Sequence, residues 1–158
     1  SLKKNGCGVI AVWNALIACG CIPGDGDVED EFFSLKKYFE KRCIITGGLT
    51  GTPLISIYIY LLKKFGSRLY FFPKDRRLNM IGLRHRAVIL MVLNDAKKPW
   101  RGMHYVCVTK DGAAFTLHNS YHKDKAGRWA SDGAYKSLCE AASHIFERSI
   151  VIAAIGIG

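Results

Sequence analysis

The apolar pattern of this chain changes character at Gly66, and that change constrains the fold more than any other feature. Before it, apolar residues recur at helical spacing; after it, they gather into short runs bounded by turn residues. Val28, Phe32, Leu35 and Phe39 draw one stripe along a helix over 27–42, with charged residues between them facing water. Residues 53–65 are apolar nearly all round, which predicts a well-buried helix. Thr52 supplies its N-cap, Pro53 its first residue and Gly66 its stop. Beyond Gly66, a short strand is expected over 69–72. The unbroken apolar run 87–93 suits a central strand. Strands over 103–109 and 113–117 flank the hairpin signal Lys110-Asp111-Gly112. A helix follows over 134–146, and an apolar, β-branched strand occupies 149–157. Helices first and antiparallel strands second is the α+β order. The chain reads as a single domain, 1–158, with a helical half to about 66 and a sheet half from about 67.

Composition narrows the function classes. Of the 158 residues 49% are apolar, enough for one core. No uncharged apolar run is long enough for a transmembrane segment, and no signal peptide is visible. The six cysteines form no paired C-x-x-C framework with histidines, so neither a metal nor another cofactor is expected. They read as free thiols of a reducing compartment, which points to the cytoplasm or the cytoplasmic face of a membrane. A secreted form stays open, because a leader before Ser1 would not be seen. The net charge of +10 calls for an anionic environment or partner. Most basic residues are dispersed pairs, such as Lys3-Lys4 and Lys63-Lys64. The one dense patch, 74–86, holds Arg76, Arg77, Arg84 and Arg86. No nucleic-acid module is recognisable, so no nucleic-acid partner is expected and the patch reads as a solvated basic face.

Chemistry concentrates in two places. In the first, Asn5-Gly6-Cys7-Gly8 precedes an apolar run in which Ile10, Trp13 and Ile17 fall on helical spacing, with a stop near Gly20. Cys7 at a first helical turn meets unpaired N–H groups and the positive end of the helix dipole, which favour a thiolate nucleophile. Gly6 and Gly8 leave no side chain beside the sulfur, room for a substrate backbone. A buried structural cysteine at a helix start explains the same residues. In the second place, His104 opens one predicted strand and His118-Asn119-Ser120-Tyr121 closes its partner. A tight hairpin centred on Asp111-Gly112 makes His104 and Asn119 neighbours. Asn119 then accepts the Nδ1 proton of His104 and turns Nε2 outward, as a cysteine nucleophile requires. His118, on the alternate face, is the poorer base.

Cys7 at a helix start, then Met103-His104-Tyr105-Val106, then Leu117-His118-Asn119-Ser120-Tyr121, resembles the papain-like cysteine peptidases in residue type and order. The likeness is greatest to the small bacterial branch that processes double-glycine leader peptides. It implies a papain-like fold with N-terminal helices packed on a mostly antiparallel sheet, and a Cys7–His104–Asn119 triad acting through a thioester. It also implies a Tyr121 that shields the histidine–amide bond beside substrate, and a peptide or protein substrate with small residues at the cleavage site. The family's oxyanion-hole glutamine falls here on Ser1, which leaves the Cys7 N–H and the Asn5 amide as donors. The same residues fit a weak or inactive peptide-binding relative, an acyltransferase or a deamidase.

Overall fold

The computed structural model describes residues 6–22, 28–43, 52–95, 97, 102–118, 133–145 and 149–158, with the Cys43 side chain excepted. Three helices come first: α1 (Cys7–Ala18), α2 (Val28–Cys43) and α3 (Leu54–Phe65). They are followed by β1 (Arg68–Phe71), α4 (Asp75–Arg84), β2 (Ala87–Leu93), β3 (Met103–Asp111) and β4 (Ala114–His118). The chain continues through β5 (Ala134–Tyr135), α5 (Leu138–Ser143) and β6 (Ile150–Ile157). The six strands form one sheet in the order β1-β6-β2-β3-β4-β5, antiparallel at every pairing. The fold is therefore α+β, as the change of period at Gly66 implies.

Both faces of the sheet are covered. On one, Val9, Val12 and Leu16 of α1, Leu35 and Phe39 of α2, and Ile57 and Leu61 of α3 pack against Ile89, Tyr105, Cys107 and Ile155. On the other, Leu78 and Ile81 of α4 and Leu138 and Ala141 of α5 pack against Leu90, Val106, Val108 and Leu117. A sheet buried on both faces needs strands apolar on both, which is why 87–93 is an unbroken apolar run. The second helical layer is the larger departure from expectation. Residues 75–84, expected only as a basic face, form a helix with Leu78, Ile81 and Gly82 inward and Arg76 and Arg77 outward.

Local chemistry fixes most ends. The α1 stop is a Schellman arrangement: Gly20, at φ +68, donates to Ile17, and Cys21 donates to Leu16. α2 carries Glu29, Asp30 and Glu31 in its first turn and Lys41 and Arg42 in its last, complementing its dipole. Two expectations fail on facing. In α1 the inward face is Gly8, Val9, Val12, Ala15 and Leu16, while Ile17 is 54% exposed. In α3 only Ile57 and Leu61 are buried, and Ile55, Ile59 and Leu62 face outward. A helix apolar on several sides does not itself say which side the core takes. The N-cap of α3 is Pro53; Thr52 is instead buried against α1. No helix among the described residues is long and apolar enough to cross a membrane.

Candidate functional site

Cys7 is the first residue of α1 and is half-buried against the first core cluster. Its neighbour Gly6 is the N-cap, in right-handed helical conformation, and accepts the Ile10 N–H at 3.0 Å. Among the described residues no side chain makes a capping hydrogen bond at this N-cap. Gly8 is buried, and a Cβ there would meet Thr52 Cβ at 2.7 Å and Ile57 Cδ1 at 3.0 Å. The missing side chain at Gly8 thus admits the start of α3. The space is filled by protein, a correction to the expected opening for a substrate backbone. Gly6 is buried as well.

The direction of α1 follows from its other end. α1 lies mainly over β3. Cys19, its C-cap, lies within electrostatic range of Cys107 in β3 and of Arg86 just before β2. Arg86 marks the end of the sheet where β3 finishes, since the Lys110 N–H donates to the Arg86 carbonyl at 2.8 Å. The N-terminus of α1 therefore points to the opposite end, where β3 begins at Met103. From Cys19 to Cys7 the helix rises about 18 Å. From Cys107 back to His104 the strand covers about 10 Å. Cys7 and His104 thus belong to the same end of the sheet.

They do not share its face. His104 is 8% exposed and pairs with Val92. Val92, like Val106 and Val108, belongs to the cluster beneath α4 and α5. Tyr105 and Cys107, which alternate with them, belong to the α1 side. The regular β2–β3 register therefore carries the His104 side chain to the face away from Cys7.

His118 shows the converse. It pairs with Cys107 and so sits on the α1 face, where its Nε2 shares a hydrogen bond of 2.8 Å with Thr109 Oγ1. Burial lowers its pKa. It lies beside the middle of β3 rather than at the Cys7 end. The hairpin turn is Gly112–Ala113, one residue later than expected, with Gly112 at φ +57. Setting His104 opposite Asn119 would set Cys107 opposite Thr116; the observed partner of Cys107 lies two residues further along β4. Asn5, Asn119 and Tyr121 lie outside the described residues, as do Trp100, His122 and Trp129.

Among the described residues Cys7, Cys19, Cys21, Cys107 and Cys139 are not joined to one another by disulfides. Cys107 is fully buried, and desolvation pushes its thiol far above the usual range, so it is inert in the folded state. No three His, Cys, Asp or Glu side chains among the described residues converge as a metal site would require. Compared with protein-family models, with curated proteins and with solved structures, the chain gives no match.

Proposed function

We propose that the chain is a cysteine-dependent amide hydrolase of papain-like arrangement, acting on peptides with small residues at the scissile bond. The observation that carries the reading is the placement of Cys7 at the start of α1, at the end of the sheet where β3 begins with Met103 and His104. Cys7 Sγ attacks the amide carbonyl; passing its proton to His104 requires the start of β3 to turn the imidazole onto the α1 face, and the tetrahedral oxyanion is held by the Cys7 N–H and the Asn5 amide. His104 returns the proton to the leaving amine, which leaves a thioester. Water, deprotonated by His104, then cleaves the thioester and releases the acid. Asn119 orients the imidazole. An acyltransferase or a deamidase uses the same first half with another nucleophile or leaving group. The free thiols fit the cytoplasm or the cytoplasmic face of a membrane.

The facing of His104 favours a second reading, a non-catalytic module that holds peptides without cleaving them. The two readings part on one experiment, iodoacetamide labelling of Cys7 across pH combined with peptide-library turnover read by mass. The hydrolase reading expects Cys7 to be alkylated at pH 6 well above the rate of a free thiol. It also expects His104→Ala to remove that excess and to lower turnover by about 100-fold or more. Labelling at the free-thiol rate, no change with His104→Ala, and peptide binding that survives Cys7→Ala would select the binding module.

A further inference from the structure

The end of the sheet away from Cys7 carries a concentration of positive charge that the hydrolase reading does not use. Arg84, His85, Arg86, Lys110, Asp111 and Gly158 line much of an open groove of about 340 Å³. Its three fixed cations come from three elements. Arg84 closes α4, Arg86 directly precedes β2, and Lys110 lies near the end of β3. The backbone sets their spacing: the Lys110 N–H donates to the Arg86 carbonyl at 2.8 Å, and the Arg86 N–H donates to Ile157 at 3.0 Å. The Arg86 stem rests on Gly158, where a Cβ would meet its Cβ and Cγ at 3.3 Å. Lys110 Nζ donates to the Leu83 carbonyl at 3.3 Å, in the last turn of α4.

Among the described residues neither Arg84 nor Arg86 forms an ion pair. The Lys36–Glu40 ion pair lies within α2, remote in sequence from the groove. Asp111 is the groove's one acidic side chain. His85 forms a wall and adds little charge. Its Nε2 shares a hydrogen bond of 3.0 Å with the Tyr70 hydroxyl. Burial, then Arg68 and Arg84, lowers its pKa against a partly offsetting contribution from the Gly158 backbone. Two guanidinium groups and an ammonium held at one concave site repel one another, and a doubly charged oxyanion removes that repulsion while accepting forked N–H donors. The volume exceeds that of bare phosphate and falls at the lower end for small-ligand sites, roughly 300–1,000 Å³.

We propose that this groove binds a small phosphate-bearing ligand, free phosphate or a phosphate monoester, through Arg84, Arg86 and Lys110. The site is independent of Cys7, so alkylating that thiol leaves it intact. The test follows backbone amide signals of residues 84–86 and 110–112 by NMR during titration with inorganic phosphate and with adenosine monophosphate. Each titration is run at ionic strength matched with NaCl. Saturable shifts are expected for one or both probes, and the stronger binder identifies the source as free phosphate or ester. Arg84→Gln with Arg86→Gln weakens binding at least about tenfold. Lys63→Gln with Lys64→Gln, which removes the same charge from the exposed end of α3, leaves it within about twofold. If the double arginine variant does not fold, Lys110→Gln serves in its place with a smaller loss. Shifts reproduced by NaCl alone, unchanged on removing the arginines, or lost equally on removing Lys63 and Lys64 overturn the proposal.

Discussion

At the residue scale, Gly8 shows how one position can satisfy two descriptions and obey only one. Beside a cysteine it suggests an opening; in the fold it is the contact that brings α3 against α1. Gly8→Ala should therefore destabilise by about 1–3 kcal/mol through overpacking, although alanine is the better helix former by about 1 kcal/mol. Urea unfolding measures the difference, and Thr52→Gly in the same chain should recover part of the loss. A stable Gly8→Ala variant would mean that Thr52 does not fill the space. His118 gives a pH signature. Its pKa is lower in the folded chain than in the unfolded one, because burial disfavours the imidazolium. The unfolded state then binds the extra proton, so His118 contributes stability in full above its unfolded pKa near 6.5 and loses it as pH falls through the folded value. Urea midpoints across pH 7.5 to 5 should fall less steeply for His118→Gln than for the parent chain. His85, depressed in the same direction, accounts for part of what remains.

At the element scale, α3 has two apolar faces of unequal worth. Leu61 is fully buried, whereas Ile59 is 40% exposed. Leu61→Ala should cost about 2–5 kcal/mol, through lost burial and the cavity left behind. Ile59→Ala should stay within about 0.5 kcal/mol. Equal losses at the two positions, measured by denaturant unfolding, would show that the outer face is also covered. The α4–α5 contact repeats the logic of Gly8: a Cβ at Gly82 would meet Leu138 Cβ at 2.8 Å. α4 itself was hidden from sequence reading by its own surface. Four arginines within 74–86 dominate the segment, and only Leu78, Ile81 and Gly82 mark its inward side. Its start carried a usable signal, Pro73 followed by Asp75 in the first turn.

At the scale of the whole molecule, the last strand of the chain is an inner strand of the sheet. β6 lies between β1 and β2, pairing Ile155 with Leu69 on one side and Ile89 on the other. Closing the sheet therefore waits on contacts between residues far apart in sequence, such as Leu69 with Ile155, which makes formation of the inner strands cooperative with global folding. Hydrogen exchange should show the β2, β3 and β6 amides opening only with global unfolding, and β1 and β5 at the edges exchanging earlier. Early exchange across β6 would mean that the sheet assembles without it. The two proposed sites lie at opposite ends of this sheet, Cys7 toward the start of β3 and the basic groove at its end.

The sequence by itself determined the class of the fold, the three N-terminal helices and strands β1 to β4 and β6, because period, caps and turn residues are local properties of the chain; it missed α4, and Ala134–Tyr135, expected to open a helix, is the strand β5 ahead of a helix confined to Leu138–Ser143. The run Ala87–Leu93 is a strand in both readings. Cys7 begins a helix and His104 lies at the start of a strand in both as well. Tertiary structure alone decided which face of α1 and α3 turns inward, that a second helical layer covers the back of the sheet, and which side of β3 carries His104. Those outcomes depend on which distant segments arrive as partners. Alternation along a strand fixes that neighbours point apart, but only packing decides which of them meets the helix.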